Sequence, residues 1–309
     1  RLFVDLDAYM SKTTDEIINR SIPDMTGQSS ILTSLGEVNN HGIELTVKTV
    51  NIQKKDLSWT TSVTFWRNRN KLKTIDGKDS DGDGKEDDDI TNKWFIGKSL
   101  GAIYGYKQDG IVQDSDTDYK TANGVASGTP KYVNLDSNPA ITSADRMILG
   151  YDKENFRLNM GNSVTYKNFE FYAMISGIFG GNDYFMKSNT IAFMTSGTGR
   201  FNDNMTYKPY WTAANPSNKY PSATFSGDGR YQALQSRGFV RVQDISLSYN
   251  FKQPWVKAMN ISQLKVFVSA KNIATFTNWK GGDPETGAKY LDNTLPVVAT
   301  YSIGANVSF

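Results

Sequence analysis

The chain of 309 residues contains no cysteine and a single histidine, His41. A disulfide framework and a thiolate metal site are therefore excluded, and no H-x-x-x-H zinc pattern can be written. No run of about 18 apolar residues occurs, so no segment reads as a transmembrane helix. An excess of one charge is lacking as well. The 34 Lys+Arg face 32 Asp+Glu, leaving a net +2 and no basic field for nucleic acid. Catalytic patterns are scarce. His41 follows two asparagines and precedes Gly42, where a second strand is expected to begin, and no Ser–His–Asp set accompanies it. The Gly-rich stretches GGNDYF, SGTGRF and FSGDGRY do not lead from a strand into a helix, as phosphate-binding loops do. They read as turns, and no enzyme is expected.

What the sequence does have is alternation. In the closing ATYSIGANVSF, Tyr301, Ile303, Ala305, Val307 and Phe309 alternate with Ser302, Gly304, Asn306 and Ser308. Side chains on a strand point to opposite faces in turn, so this is a strand with one greasy and one wet face. The same period recurs at Ile43–Val47, Trp59–Phe65, Phe156–Met160, Phe169–Ile175, Ile245–Phe251 and LKVFVSA, and in the opening residues. Eight strands of roughly 10–13 residues result, whereas an ordinary strand has about 5–6 and a tilted bilayer span needs about 9–11. The mean hydropathy of −0.49 does not separate a soluble protein from such a wall, because alternating strands average to a hydrophilic value.

Connections carry further information. Longer links (12–37, 69–153, 180–239 and 273–298) alternate with short ones at NIQKKD, YKN and KQPWVKAMNIS. An up-and-down membrane barrel places short turns on the periplasmic side and long loops outside. The expected fold is thus an all-β, antiparallel transmembrane β-barrel segment with long extracellular loops, ending with Phe309 at the periplasmic rim. A soluble carbohydrate-binding β-sandwich is the alternative, and it has no reason to keep this parity.

Several stretches carry a family resemblance when taken in order. They are GEVNNHGIELTVKTVNIQKKDLSWTTSVTFWRNRNKL, KWFIGKSLGAIYGYKQDGIVQ, DRMILGYDKENFRLNMGNSVTYKNFEFYAMISGIFGG, YWTAANPSNKYP, FVRVQDISLSYNF, LKVFVSAKNIATFTNW, DPETG and the terminal ATYSIGANVSF. Together they resemble the C-terminal part of SusC-like TonB-dependent outer-membrane transporters. The resemblance implies a barrel of about 22 strands closed by a plug. Residues 1–309 would supply its last eight strands. The plug, the remaining strands and the TonB-contacting segment would belong to an N-terminal part preceding Arg1. It further implies a SusD-like surface lipoprotein as partner, an oligosaccharide or oligopeptide as substrate, and no required cofactor. An outer-membrane adhesin or secretion subunit is the rival within the membrane class.

Candidate sites lie in the loops. Asp79, Asp81, Asp83 and Gly84 give D-x-D-x-D-G, the opening of a calcium loop in which alternate carboxylates converge on a hard cation. Lys85 offers its carbonyl. The twelfth position is Ile90 instead of Glu, so Asp87, Asp88 or Asp89 would have to substitute; Asp79, Asp81, Asp83, Lys85, Asp87 and Asp89 form the candidate set for a structural Ca2+. A solvated acidic tip is the other reading. Asn134, Asp136, Asn138 and Asp145 stand where the family often carries D-L-N-G-D-G-x-I-T-x-x-D-R. Amides for carboxylates and Pro139 for glycine predict a loop that keeps its shape without a metal. Trp94, Tyr210, Trp211, Tyr220 and Trp279 are placed in external loops, where they would stack on sugars, meet the lipoprotein, or pack loops together. Trp59, Trp66 and Trp255 are expected at the membrane girdles. Tyr301, Ile303, Val307 and Phe309 form the C-terminal barrel signature.

Overall fold

The computed structural model describes residues 1–22, 25, 27–184, 209–225, 230, 234–252, 254–279, 283–286 and 297–309. Its strands run β1 (Leu2–Ser21), β2 (Ser30–Gln53), β3 (Leu57–Thr74), β4 (Ala102–Tyr106), β5 (Gln108–Ile111), β6 (Pro130–Tyr132) and β7 (Arg146–Tyr151). There follow β8 (Glu154–Tyr166), β9 (Phe169–Gly180), β10 (Asn182–Tyr184), β11 (Leu234–Ser236), β12 (Phe239–Phe251), β13 (Gln263–Thr277) and β14 (Thr300–Ser308). Eight of them form one sheet in the order β1-β2-β3-β8-β9-β12-β13-β14. Every pairing is antiparallel and every wall strand lies beside its predecessor in the wall.

Register sorts the side chains. Leu6, Leu45, Phe65 and Leu158 share one row, and Phe171, Leu247, Val268 and Ile303 share another on the same face. These residues are largely open: Leu247 is 44% exposed, Val268 47% and Ile303 80%. A face this apolar needs a non-aqueous partner, as a lipid-facing wall does. The opposite face carries Thr46, Thr64, Asn159 and Ser176 in one row. There, glycines accept aromatic rings from the neighbouring strand. A Cβ on Gly304 would lie 2.5 Å from the Phe267 ring, and one on Gly42 only 2.3 Å from Tyr9. Only glycine fits beneath either ring.

Four expectations need correction. Residues 12–37 are not a loop: β1 and β2 stay paired from Leu2↔Thr49 to Ser21↔Ser30, so a tall ribbon replaces it. Backbone hydrogen bonds sustain that ribbon where both faces lack an apolar period. Likewise β3 runs on to Thr74 and β13 to Thr277, and wall strands range from 9 to 24 residues. His41 consequently sits inside β2, opposite Met10 and Arg69, instead of at its start. Finally, Trp66 opposes Glu44 on the polar face, beneath the Arg157 guanidinium, and not at a girdle. Short turns do join β2 to β3 and β8 to β9, and the short helix Pro254–Ala258 lies between β12 and β13.

Candidate functional site

The polar face and the long connections meet at the start of β12. Arg241 opposes Ser176 and Thr275, which places it on the polar face. Its Nη2 lies 2.8 Å from Asp283 Oδ1 and its Nη1 2.7 Å from Glu285 Oε2. Nε donates to Thr275 Oγ1 at 3.1 Å, and the guanidinium covers the Phe239 ring at 4.6 Å. Arg237 donates to the carbonyls of Pro284 (3.0 Å) and Glu285 (2.6 Å). Two arginines thus fasten 283–285 against the sheet.

Farther along the same face, Glu170 pairs with Lys265 and accepts from Asn250 Nδ2 at 2.7 Å. Asp7 stands opposite Glu44, with Asp5 two positions away on the same side. Tyr172, Trp66 and Phe267 add ring faces. Such a wall offers hydrogen bonds, both charges and stacking surfaces to a hydrated ligand.

The connection between β3 and β8 builds a body of its own. β4 pairs with β7 and β5 with β6, beside a short helix at Thr117–Asn123. The second long connection is stitched to it. Trp211 Nε1 donates to Gln113 Oε1 (3.0 Å), Ile111 N to Asn218 Oδ1 (2.9 Å) and Ser222 N to Gly128 O (2.7 Å). Asp116 accepts from Gln113 N at 2.8 Å and pairs with Lys131 at 2.9 Å, and both hold its carboxyl below the ordinary range, the backbone bond foremost.

In the first acidic loop, ligand oxygens of Asp79, Asp81 and Asp87 lie within 4.8 Å of one another. Asp79 accepts from Gly82 N and Gly84 N, Asp81 from Asp83 N, and Asp83 from Lys85 N. Asp87 accepts from Ser80 N at 2.7 Å, and bonds from Ser80 lower its pKa. Glu86, not foreseen as a structural residue, accepts from the amides of Ile75, Asp76 and Gly77 at 2.6–2.7 Å. Asp89 leaves the candidate set: it pairs with Arg20 at 2.8 Å and accepts from Asn92. Asp83 stands outside the close trio. In the second loop Asn134, Asp136 and Asn138 each accept a backbone amide two residues on. Asp145 is buried and accepts from Leu135 N and Thr142 N, both at 2.7 Å, which lowers its pKa.

Comparison with known proteins bears on what this wall belongs to. No family model matches. The chain is 27% identical over 333 residues to TonB-dependent receptor P3 of Formosa agariphila, covering all of this chain and 32% of that protein. It is 25% identical over 327 residues to TonB-dependent receptor SusC of Bacteroides thetaiotaomicron, again over its full length. The chain is homologous to SusC-like TonB-dependent receptors. It spans about a third of the length of these curated relatives. A solved structure of the RagAB peptide transporter matches the fold with a TM-score of 0.76 at 23% identity, over all of this chain and 34% of that one. The wall therefore has the fold of a segment of a TonB-dependent transporter barrel, with one apolar and one polar face.

Within this receptor segment the foreseen aromatics separate. Trp94 packs on Val38, Leu72 and Ile75, and Trp279 is only 5% exposed. Loop packing buries the Trp279 ring and partly covers that of Trp94. Trp211 braces Gln113, and Tyr220 lies under Lys219. Tyr210 alone among the five is exposed, at 38%. Trp59 lies on the apolar face and donates to Asn162, and Trp255 stacks edge-on to Phe251. Tyr301, Ile303, Val307 and Phe309 are exposed along the margin strand β14. The Arg241–Asp283–Glu285 set was missed from sequence; an arginine at an inward strand position was the available signal.

Proposed function

We propose that this chain is the C-terminal barrel part of an outer-membrane importer. Together with a SusD-like surface lipoprotein it would take up oligosaccharides or oligopeptides by TonB-dependent transport. The observation that carries this reading is full-length homology to TonB-dependent receptors on a sheet with one apolar and one polar face. The margins agree with it. β1 and β14 each pair on one side only among the described residues, and unpaired backbone groups in hydrocarbon cost several kcal/mol each. The remaining strands and plug of a protein three times as long would cover them. The inner wall then binds a hydrated ligand, the external loops dock the lipoprotein, and the plug's movement opens the path. Asp79, Asp81 and Asp87 would brace one loop around a hard cation; no bond chemistry is involved.

A soluble β-sandwich fits poorly, since no second sheet covers the apolar face among the described residues. The deciding experiment uses the full-length protein in its native outer membrane. Labelled oligosaccharides and oligopeptides should accumulate only with TonB and the proton gradient intact, and deleting the companion lipoprotein should weaken capture. Accumulation that ignores TonB, or a protein that fractionates without detergent, overturns the reading.

A further inference from the structure

The lipid-facing side of β3 changes character abruptly. Trp59, Val63 and Phe65 are followed on the same face by Arg67, Arg69, Lys71 and Lys73. Contacts fix which way the alternate set points. Leu72 is fully buried against Val38 and Ile75, and Asn70 accepts from Ser99 Oγ (2.6 Å) and Leu100 N (2.8 Å). Those residues turn inward, so the four cations turn outward. Lys12 of β1 joins them on the same face, opposite Asn39. The carboxylate beside it, Glu37, is engaged by Lys12 at 2.7 Å. Arg69 reaches Asn155 Oδ1 and the Glu154 carbonyl on β8, while Glu154 itself pairs with Arg157. Arg67 and Lys71 make no ion pair among the described residues, and Lys73 acts on Glu37 through its charge without a direct contact.

Their height on the wall is also given. Phe65, Phe156 and Phe179 pack together on this face, with ring centroids 5.7 and 4.6 Å apart. Trp59, Tyr166 and Phe169 mark the opposite end, near the short turns. Ten positions separate Phe169 from Phe179 on β9, which at about 3.3 Å per residue and the usual tilt is roughly 25 Å, the height of a barrel's apolar band. The phenylalanine trio is then the outer girdle. Arg67 lies about 5 Å above it, at headgroup level, and the next cations climb from there.

We propose that Arg67, Arg69, Lys71 and Lys73 bind the phosphates of a phosphorylated lipid of the outer leaflet, whose acyl chains lie on Val63, Phe65 and Leu158. Guanidinium and phosphate match in bidentate geometry, and several cations in line suit a headgroup that carries more than one negative charge. A zwitterionic headgroup would bring its own cation into the column. The proposal rests on the barrel reading, with short turns toward the periplasm.

The test uses the full-length receptor in nanodiscs containing either bisphosphorylated lipid A or its dephosphorylated form. Lipid retained after detergent exchange is quantified by mass spectrometry. Wild type should keep the phosphorylated lipid in about tenfold excess or more, since each surface cation contributes appreciably to holding an anionic lipid. The triple variant R67Q/K71Q/K73Q should lose that preference, whereas K54Q/K55Q in the short turn between β2 and β3 should keep it. Inorganic phosphate at equal concentration should not displace the lipid. Equal retention of both lipids by wild type, an unchanged preference in the triple variant, or displacement by inorganic phosphate overturns the proposal. Heat-modifiable migration on gels checks that the triple variant keeps its barrel; if it does not, K71E alone is read for the same loss. Failure of wild type to enter nanodiscs would instead remove the barrel reading itself.

Discussion

Arg241 and Asp283 form an ion pair that water barely reaches: 2.8 Å separates Nη2 from Oδ1, and the side chains are 6% and 2% exposed. Glu285, the other partner, is nearly half exposed and contributes less. Asp283 Oδ2 is buried and has no hydrogen bond among the described residues. Removing one member leaves the other charge stranded, which costs roughly 3 kcal/mol or more. Both R241M and D283L should lower the thermal midpoint of the purified full-length receptor and expose 283–286 to protease. The double variant should be less damaged than either single one. Additive losses would show that the pair does not hold this segment.

Phe267 and Gly304 make a second, purely steric claim. The ring occupies the place of a Cβ, so G304V must displace either Phe267 or strand β14. Overpacking of this kind costs about 1–3 kcal/mol. The variant should fold with a lower unfolding temperature on heat-modifiability gels, and F267A should restore part of the loss. G304V with no effect, or no rescue, would remove the contact from the account.

These two cases also show what could be read in advance. Alternation such as Phe169, Phe171, Ala173 and Ile175 is local, and it directly states which face is apolar, so the wall was legible. The ribbon over 12–37 was not, because SKTTDEI at 11–17 is exposed on both faces and the pairing runs through side-chain-blind backbone bonds. Arg241 finds its acids 42 and 44 positions away, a distance that no local pattern encodes. The burial of Trp279 and the partial covering of Trp94 likewise depend on how loops fold back, whereas their surroundings in sequence look like exposed loop. The Asx pattern at 134–145 was visible as a motif, but its use as a set of backbone caps became clear only with the amides placed.

Asp145 ties pH to one of those loops. Its folded-state pKa is lowered, first by the Leu135 amide and then by Thr142. A depressed carboxyl contributes stability above its unfolded value of about 3.9, and that contribution is lost as pH falls through the lower folded value. Pepsin should therefore leave 134–145 intact near pH 4.5 and cut it increasingly toward about pH 2. D145A should be cut at both. Cleavage of wild type already at the higher pH would show that these bonds do not order the loop.

The trio Asp79, Asp81 and Asp87 makes the last prediction. Three carboxylates with ligand oxygens within 4.8 Å repel one another unless a cation or protons intervene. Gly84, with φ of +82°, turns the chain so that Asp79 and Asp87 face each other, and the Glu86 bonds fix the base of the loop. Calcium, with oxygen ligands at about 2.3–2.6 Å, suits the set better than magnesium, which demands a stricter octahedron. Adding Ca2+ to the chelator-treated receptor should slow amide exchange across 78–88 while leaving the barrel strands unchanged. D81N should abolish that protection, and D83N should weaken it less because Asp83 stands outside the close trio. Equal protection by Ca2+ in wild type and D81N would remove Asp81 from the site, and no added protection in wild type would mean that the loop is ordered by its own hydrogen bonds alone.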